Sequence, residues 1–572
     1  MKNYILLSFF VLFSITVSAF DSTGRFGWPL QKAPKKVIVC EPGSSLPEAM
    51  LLESLSGLTA QAVNEGFFDE MVWIRVKDSA YQQLYGKTIT SLKISNVKNM
   101  AVWTLVDHLK KKGVIKGYIL YQADKARKNA YASYKDVNYS SNVATVYASL
   151  LKGVLIDSSL VQEAQKHGLR RLKDARYESL KECFEKNKVN LNNTSVLSVP
   201  PSVSNLRDYA ICQKLMLYSD DMKMANEILA WVKPLSPVLG WGCGDEFEFT
   251  NIVSRWGLYN TASNWCWNLP LISSLGNAVR LEKAKEISLG EINFKDTSSF
   301  HTFVMSDGDN MQWVMSSFLN NPKYLGNPRK DKGGLSWTLC PINLSIVSPF
   351  TWNSIAEAQS GNSSYIEYGG GYQYPDLFAT NRPNRKQLLR QFAGRINLHL
   401  QELGIKIFGF ICHDVSSKEA QEAFQIYAEE LTGITGMMVI QYFPYELDGA
   451  VYWAKNKEGI DIPVITARYC LWNEVNKYRP RAGTPEYIAL LINRDEIVAK
   501  DSNEYMLSWS SVHAWSNFSS TSKITQIPAI GVNPVVATES LLIGDIKTVS
   551  ANELLWRIRM KYRPEQTKSL LK

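Results

Sequence analysis

Ile405-Lys406-Ile407-Phe408-Gly409-Phe410-Ile411-Cys412-His413-Asp414 is a nearly unbroken apolar run that ends in two polar residues. A run of this length without polar alternation predicts a parallel strand covered on both faces. The same form recurs on either side of it. His301 to Ser306 runs into acid and glycine, and Leu335 to Cys340 forms a second strand. Ile366 to Tyr372 is a short third, Gly436 to Phe443 a fifth and Pro463 to Leu471 a sixth. Ile488 to Ile492 fits another, and Tyr505 to Val512 precedes His513. Helical spacing fills the intervals from Asn384 to Leu403 and from Ser417 to Leu431, and Ser550-Ala551-Asn552-Glu553 has the form of a capping box. Strands alternating with helices imply parallel α/β units. Residues 295–572 are therefore expected to form a (β/α) barrel, regular or irregular, with an open doubly wound sheet as the alternative.

Upstream the rhythm is the same on a smaller scale. Strands are expected at Val37 to Cys40, Glu70 to Val76, Gly117 to Gln122 and Gly153 to Ile156. Helices are expected at Pro47 to Asn64, Val97 to Lys112, Val143 to Leu151 and Ser159 to His167. These make two small N-terminal α/β subdomains, 20–95 and 96–185. A third α/β domain, 186–294, has strands at Ser195 to Val199 and Pro234 to Gly242 and a helix at Leu206 to Leu217. It is rich in tryptophan, with Trp241, Trp265 and Trp267 at loop-like positions beside the acidic stretch Asp245 to Glu248.

The first 19 residues read as a signal peptide. Lys2 supplies the positive end, Tyr4 to Val17 is mostly apolar, and Val17-Ser18-Ala19 is a small-residue cleavage site. Export to the periplasm or the extracellular space is expected. No later apolar run is long enough to span a bilayer, so stable membrane insertion is not expected. A length of 572 residues calls for several domains, and an apolar fraction of 45% is that of a globular protein. The net charge of +9 is spread among acidic residues with no basic face or reading motif, which argues against nucleic acid. The eight cysteines contain no C-x-x-C pair; Cys243 and Cys266, both in Trp-rich sequence, are the pair most suited to a disulfide. Oligomeric state is not set by any of this.

Gly369-Gly370-Gly371-Tyr372-Gln373-Tyr374-Pro375 stands apart. Glycines permit tight turning or close approach, and the tyrosines offer flat faces tipped with hydroxyls, the surface that suits a sugar ring. The heptad matches G-x-G-Y-x-Y-P, and Ser306-Asp307-Gly308-Asp309-Asn310 resembles an acidic motif near the start of the same domain. On these residues and on its layout the chain resembles the GxGYxYP family of putative glycoside hydrolases. The resemblance implies a carbohydrate substrate and carries over no catalytic residues.

Barrel active sites lie at the C-terminal ends of the strands. Glycosidic hydrolysis generally needs two carboxyl groups, one to protonate the leaving oxygen and one to attack or activate water. Asp307 and Asp309 are the favoured pair, because residues two apart on extended backbone share a face. Asp414, Glu446 and Glu367 are further catalytic candidates. Tyr372, Tyr374, Asn310, His413, His513, Trp241, Glu246 and Trp265 are candidate substrate contacts. Arg468 and Glu474 accompany the sixth strand. No cofactor is expected, although the D-x-D-N spacing would also suit a divalent cation. No nucleophile elbow, Walker loop or H-E-x-x-H occurs, which disfavours lipase, nucleotide hydrolase and zinc-protease chemistry. A non-catalytic carbohydrate-binding protein and a metal-dependent carbohydrate esterase or deacetylase are the alternatives to a glycoside hydrolase.

Overall fold

A computed structural model of the chain describes residues 25, 27–124, 137–219, 221–242, 245–276, 278–473, 479–523 and 528–571. The signal peptide and its cleavage site, together with Cys243 and Glu474, lie outside the described residues.

The described residues form four sheets. The first holds Glu70–Ile74, Lys36–Cys40 and Val97–Asn99, and the second Gly153–Asp157, Gly117–Tyr121 and Arg171–Asp174; both are wholly parallel. The helix Leu46–Glu65 packs between them. Ser45 caps its start, Gly66 ends it in the left-handed conformation, and every residue from Met50 to Val63 is buried. The third sheet orders Tyr259–Thr261, Pro237–Gly240, Asn192–Ser198 and Leu215–Tyr218, again all parallel.

The fourth sheet carries the site. Going across it, the parallel strands are Asp461–Thr466, Gly436–Gln441, Ile407–Cys412, Tyr365–Tyr368, Ser336–Leu339, Ser299–Met305, Leu507–Val512 and Tyr469–Leu471. Each run from Ser299 to Thr466 lies beside its predecessor, which is the order of a (β/α) barrel. Among the described residues the ladder itself does not close. Its two ends are Val451–Lys455, antiparallel to Asp461–Thr466, and Ala482–Gly483, beside Tyr469–Leu471. The expected sixth strand is split: its first half pairs with Gly436–Gln441 and its second with Leu507–Val512. The result is a curled, half-barrel sheet in place of a regular barrel.

Period-2 geometry sorts the side chains of these strands. Phe300, Val304, Ile366, Tyr368, Ile407, Ile411, Met438, Ile440 and Trp509 form one cluster inside the curl. Phe303, Met305, Phe408, Phe410, Met437 and Val439 pack outward with the helices. The helix Ala551–Tyr562 adds Ala551, Leu554, Leu555 and Ile558 to the inner cluster. Its first amides donate to Ser336 Oγ and Ser364 Oγ at the starts of two strands, so this helix plugs the N-terminal end of the curl. Ser550 caps it by accepting from the Glu553 amide, but the Glu553 carboxylate turns to Arg557, so the expected box is half formed.

Three local expectations change. Ile488 to Ile492 is part of the helix Pro485–Asp501, started by Thr484 and Pro485; a five-residue apolar run suits either element, and the start signals decide it. Leu206 to Leu217 divides into the helix Arg207–Gln213 and the strand Leu215–Tyr218 at Lys214, whose φ is +55°. Val97 to Lys112 begins as the strand Val97–Asn99, with the helix starting at Val102.

Candidate functional site

The open, C-terminal end of the curl faces the third domain across a cleft of about 510 Å³. Trp241, Glu246 and Trp265 enter from the third domain, and Asp307, Asp309, Asn310, Tyr372 and His513 from the large sheet.

The heptad stitches the two domains together. The Tyr372 amide donates to the Asn260 carbonyl at 2.9 Å and the Asn260 amide to the Tyr372 carbonyl at 2.8 Å, an antiparallel bridge onto the edge strand of the third domain. Gly371 has φ +117°, and a Cβ there would stand 2.1 Å from the Tyr259 ring, so only glycine lets the strand edge come this close. The following chain caps the third-domain helix Glu246–Arg255: the Ala379 and Asn381 amides donate to the Ser254 and Arg255 carbonyls, and Arg382 to that of Trp256. At the other end of this helix Asp245 is the N-cap in a complete capping box, and Glu246 occupies the first turn. The acidic stretch is thus a helix start. The Tyr372 hydroxyl donates to Glu246 Oε1 across the domain boundary.

Asp307 and Asp309 follow the strand Ser299–Met305 in a tight turn. Asp307 has φ +68°, and a Cβ on Gly308 would overlap the Thr338 carbonyl at 1.5 Å, which is why the two acids are separated by glycine. Asp307 Oδ2 accepts from the Ser306 hydroxyl and, at 3.4 Å, from the Ala514 amide. Asn310 caps the short helix Met311–Val314. Burial, then the charges of Asp307 and Glu246, push the Asp309 carboxyl up to about 8. Burial raises Glu246 to about 7; the Tyr372 hydroxyl opposes that rise, and Asp307 adds to it.

Aromatic rings line the rest. The Tyr372 ring lies 5.9 Å from that of Trp241, while Trp265 is 62% exposed at the rim. Tyr445, Trp472 and His513 form a continuous stack, with centroids 5.3 Å and then 3.5 Å apart. His513 Nδ1 is 2.8 Å from Ser516 Oγ. Arg479 lies 4.7 Å from the Trp472 ring. Tyr368, Gln312, Tyr445, Trp472 and Trp515 are cleft residues that the strand-end reading did not select. Tyr368 ends its strand and Trp515 flanks His513, but Tyr445 and Trp472 arrive through the fold.

Five selected residues stand elsewhere. Glu367 is 0% exposed; its oxygens accept from the Ile342 amide at 2.9 Å and the Gly370 amide at 3.2 Å, so it anchors a helix start and the glycine turn from behind. Glu446 is buried in an ion pair with Arg479, 2.7 Å. Asp414 accepts from the Ser416 amide and hydroxyl, which hold its carboxyl below the usual range, and Ser417 is the cap of the next helix. His413 is exposed beside Phe247, outside the cleft. Tyr374 is fully buried among Tyr372, Phe247 and Tyr442, behind the cleft wall.

Cys266 is a buried free thiol, and its suggested partner Cys243 lies outside the described residues. Among the described residues no group of three or more His, Cys, Asp or Glu is arranged to hold a metal ion, and no helix is long and apolar enough to cross a membrane.

Residues 299–536 match the GxGYxYP putative glycoside hydrolase C-terminal domain, and residues 192–274 match the GxGYxYP third domain. The fold is similar to the crystal structure of a putative hydrolase from Bacteroides thetaiotaomicron VPI-5482, with a TM-score of 0.76 at 20% identity over 94% of this chain and 97% of that one. No curated protein matches the sequence.

Proposed function

From a chain that carries the third and C-terminal domains of the GxGYxYP family, we propose a glycoside hydrolase that cleaves an oligo- or polysaccharide with cleft carboxyl groups. The observation that carries the reading is the convergence of Asp307, Asp309 and Glu246 on one aromatic-walled interdomain cleft. Ligand sites favour such boundaries, and flat rings beside carboxyls suit a sugar held for proton transfer.

Asp309 is the general acid. With its carboxyl pushed up to about 8, it keeps its proton at neutral pH and can deliver it to the leaving glycosidic oxygen. An ionised carboxylate of the same cluster then attacks the anomeric carbon or activates water. Trp241, Tyr372, Trp265 and the Tyr445–Trp472–His513 stack shape the sugar subsites. The N-terminal sequence supports export, so the substrate would be met in the periplasm or outside the cell.

A reducing-end assay on a glycan panel tests this. Asp309→Asn should lower turnover by about 10²- to 10⁴-fold while leaving glycan affinity within a few-fold, because the amide keeps the shape and loses the proton. Binding by the parent protein without turnover on any glycan would replace this reading with a carbohydrate-binding protein. Acetate release abolished by chelation would replace it with a metal-dependent esterase.

A further inference from the structure

We propose that Glu246, contributed by the third domain, is the second catalytic carboxyl of the cleft, and that Tyr372 of the glycine–tyrosine heptad is the residue that positions it. The inference rests on the hydrolase reading above. Two carboxyls that act on one glycosidic bond must reach it from different sides. Asp307 and Asp309 leave the same turn of the same strand, and Asp307 Oδ2 is already engaged by Ser306 and Ala514. Asp414, Glu446 and Glu367 lie outside the cleft lining, the last two with their carboxylates spent on buried partners. Among the described lining residues, Glu246 is the carboxyl that enters from the other domain.

Its placement is built. The capping box at Asp245 fixes the first turn of the helix, the chain after the heptad caps the far end, and the double hydrogen bond between Asn260 and Tyr372 locks the two domains beside it. The Tyr372 hydroxyl then holds one carboxylate oxygen and leaves the other for the reaction. Charged and titratable neighbours are Asp245 on its own helix, Asp307 and Asp309 across the boundary, and the hydroxyls of Tyr368, Tyr372, Tyr374 and Tyr445. A base poised near neutrality in this company is well matched to water.

The step balances. Glu246 removes a proton from water as the water oxygen bonds to the anomeric carbon. The bond from that carbon to the leaving oxygen breaks, and the oxygen takes the proton of Asp309. Solvent later carries a proton from Glu246 back to Asp309.

The test is the pH profile of kcat/KM for the parent, Glu246→Gln, Asp307→Asn and Tyr372→Phe on a glycan that the parent hydrolyses. Glu246→Gln should lose at least about 100-fold in kcat and the acidic limb of the profile. Tyr372→Phe should keep a reduced plateau and move the acidic limb to higher pH, because the lost hydrogen bond favoured the ionised form; a purely structural tyrosine would lower the plateau without moving the limb. Asp307→Asn should retain the acidic limb. Turnover by Glu246→Gln within a few-fold of the parent, or loss of the acidic limb in Asp307→Asn instead, overturns the assignment while leaving the hydrolase reading intact. A parent that hydrolyses no glycan overturns both.

Discussion

Replacing Asp309 with asparagine should stabilise the protein, and the gain should grow with pH. The Asp309 carboxyl titrates at about 8 in the fold against 3.8 as its reference. The folded state therefore holds a proton that the unfolded chain releases from about pH 4 upward. With more protons bound in the folded state, stability falls as pH rises, and the fall is complete only above the folded value. Linkage puts the cost of this group at about 2 kcal/mol at pH 5 and about 6 kcal/mol at pH 9. The difference is about 4 kcal/mol, or about 2 kcal/mol when halved for the water that reaches a half-buried cleft group. Asparagine has the same shape and no titration, so the variant escapes that cost. Differential scanning at pH 5, 7 and 9 should show the Tm advantage of Asp309→Asn over the parent widening by about 2–4 °C across the range. Other titrating groups are common to both proteins and largely cancel. A Tm difference that stays the same at pH 5 and pH 9 would refute the argument that burial keeps this carboxyl protonated, and with it the assignment of Asp309 as the acid.

Two further substitutions probe the scaffold. Gly371→Ala places a methyl against the Tyr259 ring at a φ of +117° and should cost roughly 2–4 kcal/mol, with faster proteolysis between the third and C-terminal domains; an unchanged Tm and cleavage pattern would show that the heptad does not clamp them. Glu446→Ala strands Arg479 in a buried site and should cost about 3–5 kcal/mol in denaturant unfolding; a loss below about 1 kcal/mol would mean that water reaches the pair.

Much of the C-terminal domain is legible from local pattern. Ile407–Cys412 and Ser299–Met305 coincide with apolar runs, because a strand covered on both faces needs such a run wherever it occurs. The helix Leu46–Glu65 follows from Ser45, Pro47 and Gly66. Asp307 and Asp309 reach the cleft because they directly follow a strand whose end lies there. Glu367 shows where this logic stops. It lies inside a strand, one residue before the cleft residue Tyr368, and the two amides behind it, from Ile342 and Gly370, hold its carboxyl in the wall.

Strand positions are thus set by residues close in the chain, since propensity and side-chain period act over a few residues. The fate of each carboxyl is set by partners far away. Arg479 takes Glu446 from 33 positions on, while Tyr372 holds Glu246 from 126 positions away. Trp472 becomes cleft wall because the split strand Asp461–Thr466 and Tyr469–Leu471 carries the chain from one end of the ladder to the other. Burial and pairing depend on what the folded chain brings within a few ångströms. For that reason the sequence alone determined which segments could build the cleft, and the tertiary structure decided which of their acids face it.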